Sequence, residues 1–310
     1  MLLLIVRVIT ISYAPYRGGA DSDIVIDICN KIDKDKKIKY VWFDTGIEYQ
    51  ATKDHLEYLE NKYDVEIIRE KAIKPVPIAV KEYGQPFLSK YTSEWISRLQ
   101  RHKFDWKKTN ISFEKLLEQY SNCKAALKWW CNKNGKTSKF SINYNQYLKD
   151  FMICTPPKFL ISNKCCDYAK KNVIKRLIKK YDADLSIYGV RKAEGGARST
   201  AYKNCFTDNS NKGVVSQFRP IFYFKTEDRK EYEKLFNIKH SKCYTKYGLK
   251  RTGCVGCPYG KDFEEELRII EKHEPRLFKA VNNIFKESYE YTRQFKEFKN
   301  KHKKMEKSNE

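Results

Sequence analysis

The sequence predicts an α/β protein built on a parallel sheet covered by helices. Short runs rich in Val and Ile end at turn residues, and between them apolar residues recur at helical spacing. Strands separated by helical stretches call for crossover connections, which pair strands in parallel. With 310 residues and 41% hydrophobic content, the chain is long enough to bury a full core as one domain with decorations.

Taken in order, residues 4–13 read as a buried strand ending at a turn. Residues 21–32 read as a helix with Ile24, Val25, Ile28, Cys29 and Ile32 on one face. Residues 39–43 form a second strand, followed by a helix over about 51–63, and residues 65–69 a third. A helix over 165–181 precedes a fourth strand at 184–189. The region of about 86–157 is less regular and holds Trp95, Trp106, Trp129 and Trp130; it reads as a helical insertion. From Asp262 the spacing of Leu267, Ile270, Leu277, Val281, Ile284 and Phe285 is helical again. Beyond Phe298, the lysines Lys299, Lys301, Lys303, Lys304 and Lys307 leave too little apolar surface for a core, which predicts a frayed helix end or tail. Residues 261–310 are thus read as a basic helical extension.

The balance of 62 Lys and Arg against 39 Asp and Glu gives a net charge of +23. It favours an anionic partner, such as a nucleotide, a sulfated or phosphorylated substrate, or nucleic acid, without choosing among them. A solvated basic surface would give the same number. No apolar run approaches the roughly 18 residues needed to span a bilayer, since the opening stretch is broken by Arg7. That stretch also lacks the pattern of a secretory leader, so a cytoplasmic protein is expected. Its ten cysteines should then be reduced or metal-bound and not a disulfide framework.

Two segments carry chemistry. Cys254-Val255-Gly256-Cys257 is a Cys-x-x-Cys, and Cys165-Cys166 supply a second pair; four thiolates suit an iron-sulfur cluster or zinc. Cys205 and Cys243 are reserve ligands. The first strand-to-helix turn reads Arg17-Gly18-Gly19-Ala20-Asp21-Ser22, where glycines allow close backbone approach and a helix N-terminus favours an anion. Asp21 and Ser22 could equally serve as helix caps.

Gly18-Gly19-Ala20-Asp21-Ser22 after a strand, then Phe43-Asp44-Thr45-Gly46-Ile47-Glu48, then the segment from Gly189 to Arg198, together resemble the phosphoadenosine phosphosulfate (PAPS) reductase family of the PP-loop group. The cysteine pairs resemble those of its iron-sulfur members, notably adenosine phosphosulfate reductases. The resemblance implies a Rossmann-like, adenine nucleotide alpha-hydrolase-like domain over residues 1–260. Arg17, Gly18, Gly19, Asp21 and Ser22 would receive the phosphate or sulfate end of ATP or another adenine nucleotide, with Asp44, Thr45 and Gly46 beside it. Arg191 and Arg198 would neutralise its anionic groups, with Glu194 orienting one of them. Cys165, Cys166, Cys254 and Cys257 would hold a 4Fe-4S cluster, zinc being the alternative. The implied activity is sulfonucleotide or sulfur-transfer chemistry.

Two departures keep other readings open. The family loop usually reads Ser-Gly-Gly-Lys-Asp-Ser, whereas Arg17 stands in place of the serine, Ala20 in place of the lysine, and Ala14-Pro15-Tyr16 looks inserted. No cysteine follows Cys257, so the tail nucleophile of sulfonucleotide reductases is missing. ATP pyrophosphatase-type activation of a nucleic-acid acceptor, by adenylation or thiolation, is therefore one alternative. A binding component with a disabled loop is another. The sequence names no catalytic residue, acceptor, electron donor or oligomeric state.

Overall fold

The computed structural model describes residues 20–107, 111–195, 201–209, 214–260 and 262–308. The strand expected over residues 4–13 lies outside them. Two compact units emerge. The first gathers the described parts of Met1–Val76, Cys166–Val255 and Glu265–Phe278, and the second those of Pro77–Cys165, Gly256–Glu264 and Lys279–Glu310.

In the first unit, α1 (Ala20–Ile32) leads to β1 (Tyr40–Asp44), and α2 (Gln50–Tyr63) to β2 (Ile67–Lys71). β1 and β2 pair in parallel, Tyr40 opposite Ile67 through Asp44 opposite Lys71. The observed β2 starts two residues later than the pattern predicts. The left-handed Asp64 (φ 49°) ends α2, and the Val65 N–H is spent on the Glu60 carbonyl at 3.3 Å. β3 (Leu185–Ile187) runs parallel to β5 (Ser216–Phe218), which carries the antiparallel β4 (Phe206–Thr207) on its other side.

Successive β1 residues face opposite sides of the sheet, and both sides are covered. Tyr40 and Trp42 pack with Ile24, Val25, Cys29, Leu56 and Ile187, while Val41 and Phe43 meet Val173 and Leu177. Burial on both faces is the expected condition of a parallel sheet. The helix expected over 165–181 is interrupted: Lys164–Cys166 is α-helical, Asp167–Lys171 is a π turn, and the α-helix resumes over Asn172–Lys180. α1 departs from its predicted face as well, because Ile32 is exposed while Asp21, Asp23 and Asp27 are buried.

The second unit is helical, with segments Lys90–Arg101, Phe113–Gln119, Lys124–Trp130, Leu148–Cys154 and Lys286–Ser308. Ser89 and Ser112 cap the first two by accepting hydrogen bonds from the N–H groups of Thr92 and Lys115. The four tryptophans of the insertion sort themselves here: Trp129 and Trp130 are buried with Phe87, Leu99, Phe151 and Phe295, and Trp95 and Trp106 pack around that core half-buried. Helix Lys286–Ser308 contributes Tyr291 and Phe295, and it continues through the lysine-rich segment instead of fraying at Phe298. No helix among the described residues is long and apolar enough to cross a membrane. The ten cysteines form no disulfide.

Candidate nucleotide and cysteine site

α1 carries Asp21 and Ser22 of the motif expected to receive an anion in its first described turn. Arg17, Gly18 and Gly19 lie outside the described residues, as do the expected Ala14-Pro15-Tyr16 insertion and Arg198. Asp21 is fully buried and meets Arg191, whose Nε donates to both carboxylate oxygens at 3.1 and 3.0 Å. Arg229 stands 3.7 Å from the same carboxylate. Burial pushes the Asp21 carboxyl up, and the charges of Arg191 and Arg229 pull against that rise.

The approach of Arg191 depends on a glycine. A Cβ on Gly189 would lie 3.1 Å from the Asp21 backbone, so a bare Cα lets the loop after β3 rest on the start of α1 without crowding. Glu194 fastens the same loop by accepting the Arg191 N–H at 3.0 Å. Arg191 itself is buried, yet its Nη1 has no hydrogen-bond partner among the described residues. An unpaired buried donor is costly, and an anionic ligand would relieve it.

Deeper along α1, Asp23 lies between His55 (3.0 Å) and His240 (2.7 Å), and Asp27 between Lys31 (2.6 Å) and Tyr232 (2.7 Å). His55, His240 and Tyr232 come from distant segments, whereas Lys31 is one turn further along the same helix. The sequence points to Asp21 and Ser22 but not to Asp23 or Asp27, because His55, His240 and Tyr232 are invisible to local periodicity.

At the end of β1, the Asp44 carboxylate accepts the Gly46 N–H at 2.9 Å and so closes its own turn, with Gly46 at φ 86°. No hydrogen bond among the described residues joins Asp44, Thr45 or Gly46 to Asp21, Ser22 or Arg191. This turn leads instead to the cysteine motif: the Val255 N–H donates to the Ile47 carbonyl at 3.1 Å. Thr45 is fully buried and donates to Glu48 at 2.5 Å. Burial pushes the Glu48 carboxyl up to about 7 against the pull of Lys170 and Thr45. Burial also raises the Cys254 thiol; Lys170 opposes the rise, and Glu48 and Cys166 add to it. Lys170, buried and held in the π turn just after Cys165-Cys166, is a residue that sequence reading misses. Its one signal is a lysine four residues past a cysteine pair. π turns are often found at functional sites.

Cys166 and Cys254 belong to the first unit, where the charge of one is felt by the other, while Cys165 and Cys257 belong to the second. Among the described residues, no group of three or more His, Cys, Asp or Glu is arranged to hold a metal ion. The first unit supplies two of the four thiolates expected as ligands, Cys166 and Cys254. Gly256 is required by the bend between Cys254 and Cys257: its φ is 62°, and a Cβ would fall 2.6 Å from the Tyr289 hydroxyl, which donates to the Gly256 carbonyl. Of the reserve cysteines, Cys243 is packed against Thr52 at 3.6 Å with its thiol pushed up to about 11 by burial. Cys205 serves through its backbone carbonyl, which accepts the Arg219 N–H at 2.8 Å.

The family model for the phosphoadenosine phosphosulfate reductase domain matches residues 11–105 and 106–260. Among solved structures, the phosphoadenylyl-sulfate (PAPS) reductase from Candida auris, in its phosphate complex, is similar at 11% identity with a TM-score of 0.40, over 79% of this chain and 80% of that one. No curated protein matches the chain.

Proposed function

Because the chain belongs to the phosphoadenosine phosphosulfate reductase domain family, we propose that its first unit binds an adenine nucleotide and performs sulfonucleotide or sulfur-transfer chemistry. In this reading, the anionic end of the nucleotide takes the segment from Arg17 to Ser22, including Gly18, Gly19 and Asp21. Asp44, Thr45 and Gly46 lie along it, and Arg191 and Arg198 neutralise it. The observation that carries the reading is the posture of Arg191: Asp21 holds its Nε and leaves a buried Nη1 without a partner among the described residues. A guanidinium fixed in this way costs little reorganisation when an anion arrives. Asp21 is then the residue that aims the arginine, which gives a physical reason for a buried carboxylate at an anion site.

Cys165, Cys166, Cys254 and Cys257 are proposed to hold a 4Fe-4S cluster, with zinc as the alternative; the cluster would supply iron and sulfide for handling electrons or sulfur. Lys170 and Glu48 then set the charge around Cys254. A second reading, activation of a nucleic-acid acceptor with release of pyrophosphate, is favoured by the charge of +23.

Anaerobically purified protein assayed for iron, sulfide and turnover separates these readings. Sulfite released from a sulfonucleotide supports the first. Pyrophosphate released from ATP only when an oligonucleotide is present supports the second. Nucleotide binding without either product would reduce the protein to a binding component.

A further inference from the structure

The second unit contains a charge pattern that the nucleotide site does not use. Between Glu118 and Asp150 there is no acidic residue, while six lysines fall in that stretch. Its centre, residues 131–147, is an ordered loop. The Asn134 amide donates to the Phe140 carbonyl at 3.0 Å, the Phe140 N–H to Ser138 Oγ at 3.2 Å, and the Asn143 N–H to the Asn132 side chain at 3.2 Å. On this loop Ile142 is fully buried, whereas Phe140 is 49% and Tyr144 63% exposed. Lys136 and Lys139 are exposed beside them and form no ion pair among the described residues. Phe140 and Tyr144 thus present exposed rings among lysines and asparagines on a loop fastened by its own hydrogen bonds.

The same face continues onto the last helix. Helix Leu148–Cys154 packs on helix Lys286–Ser308 through Phe151 against Phe295 and Phe298, at ring separations of 5.3 and 5.6 Å. Tyr147, at the end of the loop, meets His302 at 5.5 Å. This contact joins the acid-free loop to the turn that carries the exposed Lys303 and Lys304.

We propose that this face of the second unit binds single-stranded nucleic acid, with Lys136, Lys139, Lys303 and Lys304 along the phosphates and Phe140 and Tyr144 stacking on bases. Cationic residues interleaved with exposed aromatics are the recognition chemistry of single strands, whose unpaired bases offer a ring face to any aromatic. A membrane surface would instead call for a broad continuous apolar face, whereas the large apolar residues exposed here are Phe140, Tyr144 and Met305, and Ile142 is buried. The proposal is independent of both readings of the nucleotide site, because binding can be measured without turnover.

The test is fluorescence anisotropy of a labelled single strand of about 20 nucleotides with the full chain at several salt concentrations. The parent should bind with an affinity that falls steeply with salt. K136E/K139E and K303E/K304E should each weaken binding by about tenfold or more, and each should flatten the log–log salt slope by roughly 0.7 for every phosphate left without its lysine. F140A/Y144A should also weaken binding by about tenfold or more but leave the slope unchanged, since stacking releases no counterions. All six positions are exposed, and melting temperatures close to the parent's will establish that the variants are folded. Three results would overturn the proposal: no saturable binding by the parent, variant affinities equal to the parent's, or duplex DNA bound as tightly as the single strand. Capture by phosphatidylserine vesicles without capture by the oligonucleotide would equally overturn it and assign the face to a membrane.

Discussion

In the first unit, burial reaches Asp21, Asp23, Asp27, Lys170, Arg191 and Arg219, whereas the buried polar residues of the second unit, such as Gln85, Ser93, Ser141 and Ser288, are uncharged. Arg219 is the extreme case. It is fully buried with no carboxylate partner among the described residues, held by the Tyr188 hydroxyl (2.9 Å), Gln217 (3.0 Å) and Thr207 (2.5 Å), with the Tyr202 ring 4.5 Å away. Buried ion pairs contribute little net stability compared with apolar residues of the same size. A unit that keeps so many of them, each fully partnered or nearly so, is built to hold charge in position. The second unit stabilises itself by aromatic packing and carries its charge outside, on the lysines of its surface.

The contrast is most directly broken by removing one half of a buried pair. Asp21→Ala removes the carboxylate that pairs with the buried Arg191 and should cost about 3–5 kcal/mol in urea unfolding. The double variant Asp21→Leu/Arg191→Met should recover most of that stability and no nucleotide affinity. A double variant that stays as unstable as the single one would show that the pair is there for packing. In the second unit, Trp129→Ala should destabilise by a similar amount, about 3–5 kcal/mol, through the cavity it leaves, with nucleotide affinity unchanged.

Smaller effects sharpen the comparison. Gly189→Ala forces a methyl group to within 3.1 Å of the Asp21 backbone. It should cost about 1–3 kcal/mol and loosen nucleotide binding along with stability, because the strain falls on the loop that presents Arg191. The weakest effect is a dependence on pH at His240. Burial alone would lower its pKa, but the hydrogen bond to Asp23 and the charges of Asp23 and Glu233 outweigh burial, so the net shift is upward. A raised folded pKa means that this contribution to stability is complete below about 6.5 and is lost as pH rises through the folded value. His240→Gln should remove that part of the pH dependence when unfolding is followed between pH 5 and 9, taken as a rough window around the ordinary histidine value.

The strand and helix pattern of the first unit is legible in the sequence because each element buries a face with its own period. β1, α2 and β3 appear within two residues of their expected limits. The same logic fails wherever a residue's role depends on a partner far along the chain. Asp23 is buried because His55 and His240 meet it, and no local pattern announces either. The π turn at Asp167–Lys171 reads as ordinary helix, since one extra residue per turn barely alters a short apolar spacing. The lysine-rich end of helix Lys286–Ser308 looks too polar to persist, yet the packing of Tyr291 and Phe295 upstream suffices to nucleate it, and propagation from an existing helix costs little. Within the candidate site, the contact between Arg191 and Asp21 joins two motifs that the sequence keeps 170 residues apart. Glu48 and Lys170 escape notice, because their significance comes from being buried together near Cys254.

The central claim is that Arg191, aimed by Asp21, receives the anionic end of an adenine nucleotide. Titration calorimetry of ATP and of PAPS into the parent, Arg191→Ala and Arg191→Lys, each first verified as folded by its unfolding transition, tests it most directly. The parent should bind at least one of the two nucleotides. Arg191→Ala should lose on the order of 1.5–3 kcal/mol of binding free energy, and Arg191→Lys should recover only part of it, since an ammonium lacks the planar fork of guanidinium. Unchanged affinity in a folded Arg191→Ala protein, or no binding of either nucleotide by the parent, would contradict the account.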